Sequence, residues 1–274
     1  MSTDNGHNVE SDNPVAEFNG VDVQLGDDHV ATVTFSRPPN NFFDIELVSS
    51  IADSFEALDA EPSCRAIILR SVGKHFCAGA KLEAGRPHLI SEARGQVNPL
   101  YQQAVRLAAC AVPVVAVIQG AAIGGGFGVA LVADFRVASP ETRFAANFAK
   151  LGMHHGFGMT VTLPGVIGQQ RALDLLYSGR RISGEEAFEI GLVDRLVPAD
   201  ELLSAARELA LEVASSAPLA VRSIRRTMRG DLAERMSQAT LREHAQQREL
   251  RQTADYVEGV ESYAARRPAQ FRAR

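Results

Sequence analysis

The stretch GAAIGGGFGVALVAD, residues 120–134, decides how this chain is read. Three consecutive glycines, Gly124, Gly125 and Gly126, and a fourth, Gly128, interrupt an otherwise apolar run. The segment before it, VPVVAVIQG (112–120), is apolar throughout. That suits a short strand buried on both faces of a parallel sheet. The segment after the glycines, FGVALVA, reads as an apolar helix. At such a junction glycine lets main-chain N–H groups come close to a ligand. At a helix start those groups also carry partial positive charge. The turn therefore suits a phosphate, or the oxyanion of a reacting carbonyl. A packed turn would explain one glycine; three in a row at a strand-to-helix junction favour a functional turn.

Two standard glycine motifs fail. No register gives G-x-G-x-x-G with a ribose-binding acid, which argues against a dinucleotide site. VGKHF lacks the upstream glycine of a phosphate loop, and the absence of G-x-S-x-G leaves a nucleophilic serine elbow unsupported.

Outward from the junction, the pattern alternates strand and helix. HVATVTFSRP (29–38) alternates and is rich in β-formers. Residues 44–60 place Ile45, Val48, Ile51, Phe55 and Leu58 on the helical period, with Asp44 as the expected N-cap. RAIILRS (65–71) is a second strand, 100–111 a helix, and DFRVAS (134–139) a further strand. This alternation implies an α/β class. From residue 199 the sequence turns to helix formers, with breaks at Pro218 and Gly230. The expected organisation is a tail over 1–15, an α/β core over 16–198 and a helical region over 199–274. The tail is polar and acidic, without the marks of a signal or transit peptide, and is expected to be disordered.

The chain has 274 residues, 46% hydrophobic and 22% charged, with a formal net charge of -5. That balance argues against a nucleic-acid partner. No window is apolar enough to span a membrane. Cys64, Cys77 and Cys110 lack the spacing of a disulfide framework or a zinc site, so no metal is expected, and reduced thiols in a cytoplasmic protein are the simplest reading.

A second small-residue turn, HFCAGAKLEAG (75–85), follows the strand ending at Ser71. Two such turns can supply two backbone donors aimed at one point. Here the sequence resembles a family. RAIILRSVGKHFCAGAKL and VPVVAVIQGAAIGGGFGVALVADFRVAS look like the two signature regions of the crotonase (enoyl-CoA hydratase/isomerase) superfamily. RALDLLYSGRRISGEEAFEIGLVDRLVP and ADYVEGVESYAARRPAQF resemble its later α/β segment and its C-terminal helix.

The resemblance implies a spiral of ββα turns with a C-terminal helical region used in trimerisation, and assembly as a trimer or a dimer of trimers. It implies an acyl-CoA substrate and no separate cofactor, coenzyme A being part of the substrate. It places the oxyanion-hole N–H groups at Ala80 and Gly125, beside Gly124, and the adenine along Ala78, Ala80 and Leu82. Lys81 stands where the family usually has an acid. Phe271 and Arg272, in the basic C-terminal end, match the part that often covers coenzyme A. Tyr101 lies on a helix that often lines the acyl pocket, and Asn147 is a further candidate for substrate contact.

The same resemblance places the two glutamates of the family's hydratases at Gly128 and Phe148. Neither residue can move a proton, so standard hydration is not expected. His154 and His155, in LGMHHGFGMT, are the nearest candidate acid–base groups. Asp134 reads as structural. The expectation is an enolate-stabilising acyl-CoA enzyme, a lyase or isomerase. The alternatives are a catalytically silent acyl-CoA binder and an oligomeric scaffold that binds no coenzyme A.

Overall fold

A computed structural model describes residues 13–81 and 97–274. The chain runs β1 (Asn13–Phe18), β2 (Val21–Leu25), β3 (Val30–Phe35), α1 (Ile45–Asp59), β4 (Ala66–Ser71) and α2 (Pro99–Ala109). Then come β5 (Val114–Ile118), β6 (Ala121–Ile123), α3 (Gly125–Val132), β7 (Phe135–Ala138) and β8 (Arg143–Ala145). These are followed by α4 (Met159–Ile167), α5 (Gln169–Ser178), β9 (Arg181–Ser183), α6 (Gly184–Glu189) and β10 (Arg195–Leu196). Four helices end the chain: α7 (Leu202–Ala214), α8 (Pro218–Arg229), α9 (Leu232–Leu250) and α10 (Ala254–Ala264).

The strands form two sheets, one of seven strands in the order β1-β2-β3-β4-β5-β7-β10 and one of three in the order β6-β8-β9. From β3 to β10 the large sheet is parallel. Successive turns place one strand in the large sheet, the next in the small sheet, then a helix: β5, β6, α3, and again β7, β8, α4. This is the expected ββα spiral. The apolar segment 112–120 holds β5, all of it buried, and the chain then turns into β6.

Burial on both faces explains the apolar strands. In β4, Ile67 and Leu69 join the main core with Val48, Ile51 and Phe55 of α1. Ala66 and Ile68 point the other way, onto Ala206, Ala210 and Ala214 of α7. Helix α7 of the helical region thus covers the second face of the sheet. Asp44 caps α1, accepting the Leu47 N–H at 2.8 Å. Pro218 opens α8 and Gly230 follows it, as expected. Strand β1 includes residues 13–15, which the sequence reading placed in the tail, because pairing with β2 extends to Asn13. The rest of that tail lies outside the described residues. Among the described residues no helix is long and apolar enough to cross a membrane.

Candidate active site

The two small-residue turns lie side by side. Cys77 forms a parallel bridge with Ala122, its N–H donating to Ala121 O at 2.9 Å and its carbonyl accepting from Ile123 N at 3.0 Å. Gly126 lets the turns touch: a Cβ there would lie 2.6 Å from Cys77 Sγ. Gly124, with φ 54° and ψ −119°, bends the chain into α3 and leaves Gly125 as its first residue. Among the described residues no hydrogen-bond acceptor meets the N–H of Ala80 or of Gly125. Both residues border one cavity of about 50 Å³.

The expected residues Ala78, Gly124, Tyr101, Asn147 and Phe148 border the same cavity. Its other walls are mainly apolar, and Phe43, Phe157 and Gln247 are lining residues that sequence reasoning missed. Phe43 is tied to the first turn by its N–H on Gly79 O at 2.9 Å. Its ring covers the glycine helix start, where a Cβ on Gly125 would lie 2.5 Å from it. Phe157 covers Gly128 in the same way, at 2.6 Å. Phe157 meets Phe43 edge to face, with centroids 5.2 Å apart. The Tyr101 hydroxyl donates to Gln247 Oε1 at 2.6 Å, and Gln247 Nε2 donates to His154 O at 2.9 Å. Burial pushes the Tyr101 phenol well above its ordinary range. Among the described lining residues there is no carboxylate, histidine, lysine or arginine.

The histidine pair, the expected acid–base candidates, lies beside Glu243 rather than among the residues that border this cavity. Neither His154 nor His155 is a lining residue. Their rings stack at 4.1 Å. His154 Nδ1 lies 2.8 Å from His155 O, and His155 Nε2 lies 2.9 Å from Thr160 Oγ1 and 3.9 Å from Glu243 Oε1. The physical reason is Glu243, buried on α9. Its carboxylate accepts from Gly158 N at 2.8 Å, Thr160 N at 3.0 Å and Thr160 Oγ1 at 2.6 Å. It satisfies the N–H groups at the start of α4, and His155 is drawn into that network. Burial, then the neighbouring His154, pushes His155 down to about 3. Burial holds the Glu243 carboxyl above its ordinary value.

The C-terminal residues fold back on α10. Arg272 N and Ala273 N donate to the two Asp255 oxygens at 2.7 and 2.8 Å. Phe271, half exposed, borders a groove shared with Gly152 and Met153, and Met153 also borders the main cavity. Leu82 lies outside the described residues. Asp134 is structural, as expected: it accepts from Val114 N at 2.8 Å and pairs with Arg225 at 3.0 Å and with Arg229. Among the described residues no group of three His, Cys, Asp or Glu side chains is placed to hold a metal ion.

Phe43 and Phe157 carried no signal in the sequence. Each meets its glycine across the fold, outside any local period. Gln247 sits in a helix rich in polar residues, where sequence alone does not separate the polar side chains that turn inward, such as Glu243 and Gln247, from those that face out.

The sequence profile of the family described as Enoyl-CoA hydratase/isomerase matches residues 26–274. A probable enoyl-CoA hydratase of Mycobacterium tuberculosis is 33% identical over 247 residues, 90% of this chain and 96% of that protein. The 1,2-epoxyphenylacetyl-CoA isomerase of Escherichia coli is 30% identical over 250 residues, 88% of this chain and 94% of that protein. The crystal structure of an enoyl-CoA hydratase/isomerase from Pseudoalteromonas atlantica superposes with a TM-score of 0.81 at 29% identity, covering 93% of this chain and 100% of that one. With the two facing turns and the ββα spiral, these matches establish that the chain belongs to the enoyl-CoA hydratase/isomerase family.

Proposed function

We propose that this protein binds an acyl-CoA thioester with the carbonyl oxygen between the N–H groups of Ala80 and Gly125. The observation that carries this reading is the pair of backbone donors, neither with an acceptor among the described residues, at one mainly apolar cavity. Two N–H groups on a thioester oxygen stabilise the enolate left when the α-carbon gives up a proton to solvent base or a carbon–carbon bond to it breaks. That is the step from which isomerase or lyase chemistry starts. Addition of water across a double bond needs in addition a group that activates the water and one that protonates the α-carbon. The described walls hold neither, and Gly128 and Phe148 stand where the resemblance puts the hydratase glutamates. Standard hydration is therefore not the proposed reaction. Self-association fits the exposed apolar side chains of α8, Leu219, Ile224 and Met228.

The lack of an acid–base side chain among the described lining residues favours a second reading, a silent acyl-CoA binder. One experiment separates the two. The protein is incubated with acetyl-CoA and butyryl-CoA in deuterium oxide, α-proton exchange is followed by mass spectrometry, and binding by calorimetry. Exchange above the buffer rate supports the enzyme. Binding without exchange supports the silent binder. No binding overturns both.

A further inference from the structure

We infer that this cavity accepts only short acyl groups, and that Phe157, seated on Gly128, sets the limit. The inference rests on the acyl-CoA reading above and names the substrate class within it.

The first observation is size. The cavity is about 50 Å³, whereas a dry apolar cavity that takes up one benzene measures roughly 150 Å³. Room of that order takes a few carbon atoms beyond the thioester carbonyl, and no ring.

The second is what fills the remaining space. The ring of Phe157 lies where a side chain on residue 128 would begin, with Cδ1 2.6 Å and Cβ 2.9 Å from an ideal Cβ there. The missing side chain at 128 has not left an open pocket. An aromatic ring occupies its place and forms the wall. The third is how firmly that ring is held. Phe157 is 1% exposed. It meets Phe43 at 5.2 Å and Tyr101 at 6.5 Å, both edge to face. Tyr101 is in turn fixed by its bond to Gln247 and by close contact with Gly156, where a Cβ would lie 2.0 Å from the hydroxyl. Close-packed aromatic walls of this kind resist displacement by a ligand. The fourth is the backbone. Phe157 has φ 61°, in the left-handed region that bulky residues rarely adopt. That conformation directs the side chain of residue 157 onto Gly128, and neighbouring contacts hold it there.

The test is a calorimetric titration of CoA, acetyl-, butyryl-, hexanoyl- and octanoyl-CoA into the wild-type protein and into Phe157→Ala and Phe157→Leu. Wild type is expected to bind acetyl- or butyryl-CoA best and to lose at least ~10-fold in affinity by hexanoyl-CoA, since one methylene too many in a packed pocket is worth ~10-fold or more. Phe157→Ala is expected to move the optimum to hexanoyl-CoA or longer; if it does not fold, the smaller shift in Phe157→Leu decides. Gly128→Ala pushes the ring inward and is expected to weaken butyryl-CoA more than acetyl-CoA. A wild-type protein that binds octanoyl-CoA as tightly as acetyl-CoA overturns the inference. So does a Phe157 variant with the wild-type chain-length profile. Failure of every acyl-CoA to bind overturns the acyl-CoA reading itself.

Discussion

The Tyr101 hydroxyl donates a 2.6 Å hydrogen bond to Gln247, joining α2 to α9 at the cavity wall. The two residues lie 146 positions apart. Gln247 also donates to His154 O, so its amide holds the chain at residue 154 against α9. Gln247→Leu leaves the Tyr101 hydroxyl and the His154 carbonyl without this partner. It is expected to destabilise the protein by about 2 kcal/mol, the cost of stranding buried polar groups. Tyr101→Phe is expected to cost less, and the double variant less than the sum. Urea unfolding of the four proteins measures the coupling, and strict additivity would contradict the link.

Restoring a carboxylate at 128 is expected to fail. Gly128→Glu drives a side chain into the Phe157 ring and places a carboxylate among apolar walls. Overpacking alone costs ~1–3 kcal/mol, and burying the charge adds to that. The expected outcome is a lower midpoint in thermal melts and no gain in crotonyl-CoA hydration. Efficient hydration by this single variant would show that the ring yields.

Gly125→Pro removes one proposed oxyanion donor. As the first residue of α3, position 125 needs no N–H for the helix, and proline is well tolerated there. The obstacle is the Phe43 ring, so the change belongs in a Phe43→Ala background. Relative to that parent, α-proton exchange is expected to fall by ~10²–10³. The infrared carbonyl stretch of bound, isotope-labelled acetyl-CoA is expected to move back toward its value in water. An unchanged carbonyl band would place the thioester elsewhere.

The histidines predict a pH effect on stability and none on chemistry. Folding lowers the pKa of His155 from 6.5 to about 3. Between those values the unfolded chain binds more protons, so His155 makes the protein less stable as pH falls from 6.5 toward 3. The Glu243 carboxyl, raised by burial, works the other way around and above 4.5, because its folded form holds the proton more strongly. The difference between wild type and His155→Gln isolates this histidine, with His154 and Glu243 left in place. The variant is expected to lose less stability on acidification in urea titrations, while the pH profile of α-proton exchange stays as in wild type. A changed exchange profile would return the pair to the chemistry.

Asp134 is the partner of two mostly buried arginines, Arg225 and Arg229, and accepts the Val114 N–H at the start of β5. Asp134→Asn leaves both guanidinium groups without their counter-charge. Breaking a buried ion pair on one side costs about 3–5 kcal/mol, and that loss is expected in denaturant unfolding. A loss below ~1 kcal/mol would mean that solvent screens the cluster as it does a surface pair.

The sequence by itself determined the main strands and helices around the two small-residue turns. Alternation over 30–35 and the helical period over 45–59 are local properties, and the strand and helix stand where those patterns put them. The glycine junction after β5 and the small-residue turn after β4 were legible for the same reason, since turn chemistry depends on a few adjacent residues. So was the absence of carboxylates at 128 and 148. Only the tertiary structure decided what surrounds those turns. It set His155 beside Glu243, which lies 85 residues beyond Gly158, and left both histidines out of the described cavity lining. It put Phe43 on Gly125 and Phe157 on Gly128, and brought Gln247 in from α9. No window of sequence holds these contacts. A cavity wall is made of side chains packed together from distant parts of the chain, and their packing depends on shape and volume that local periodicity does not encode.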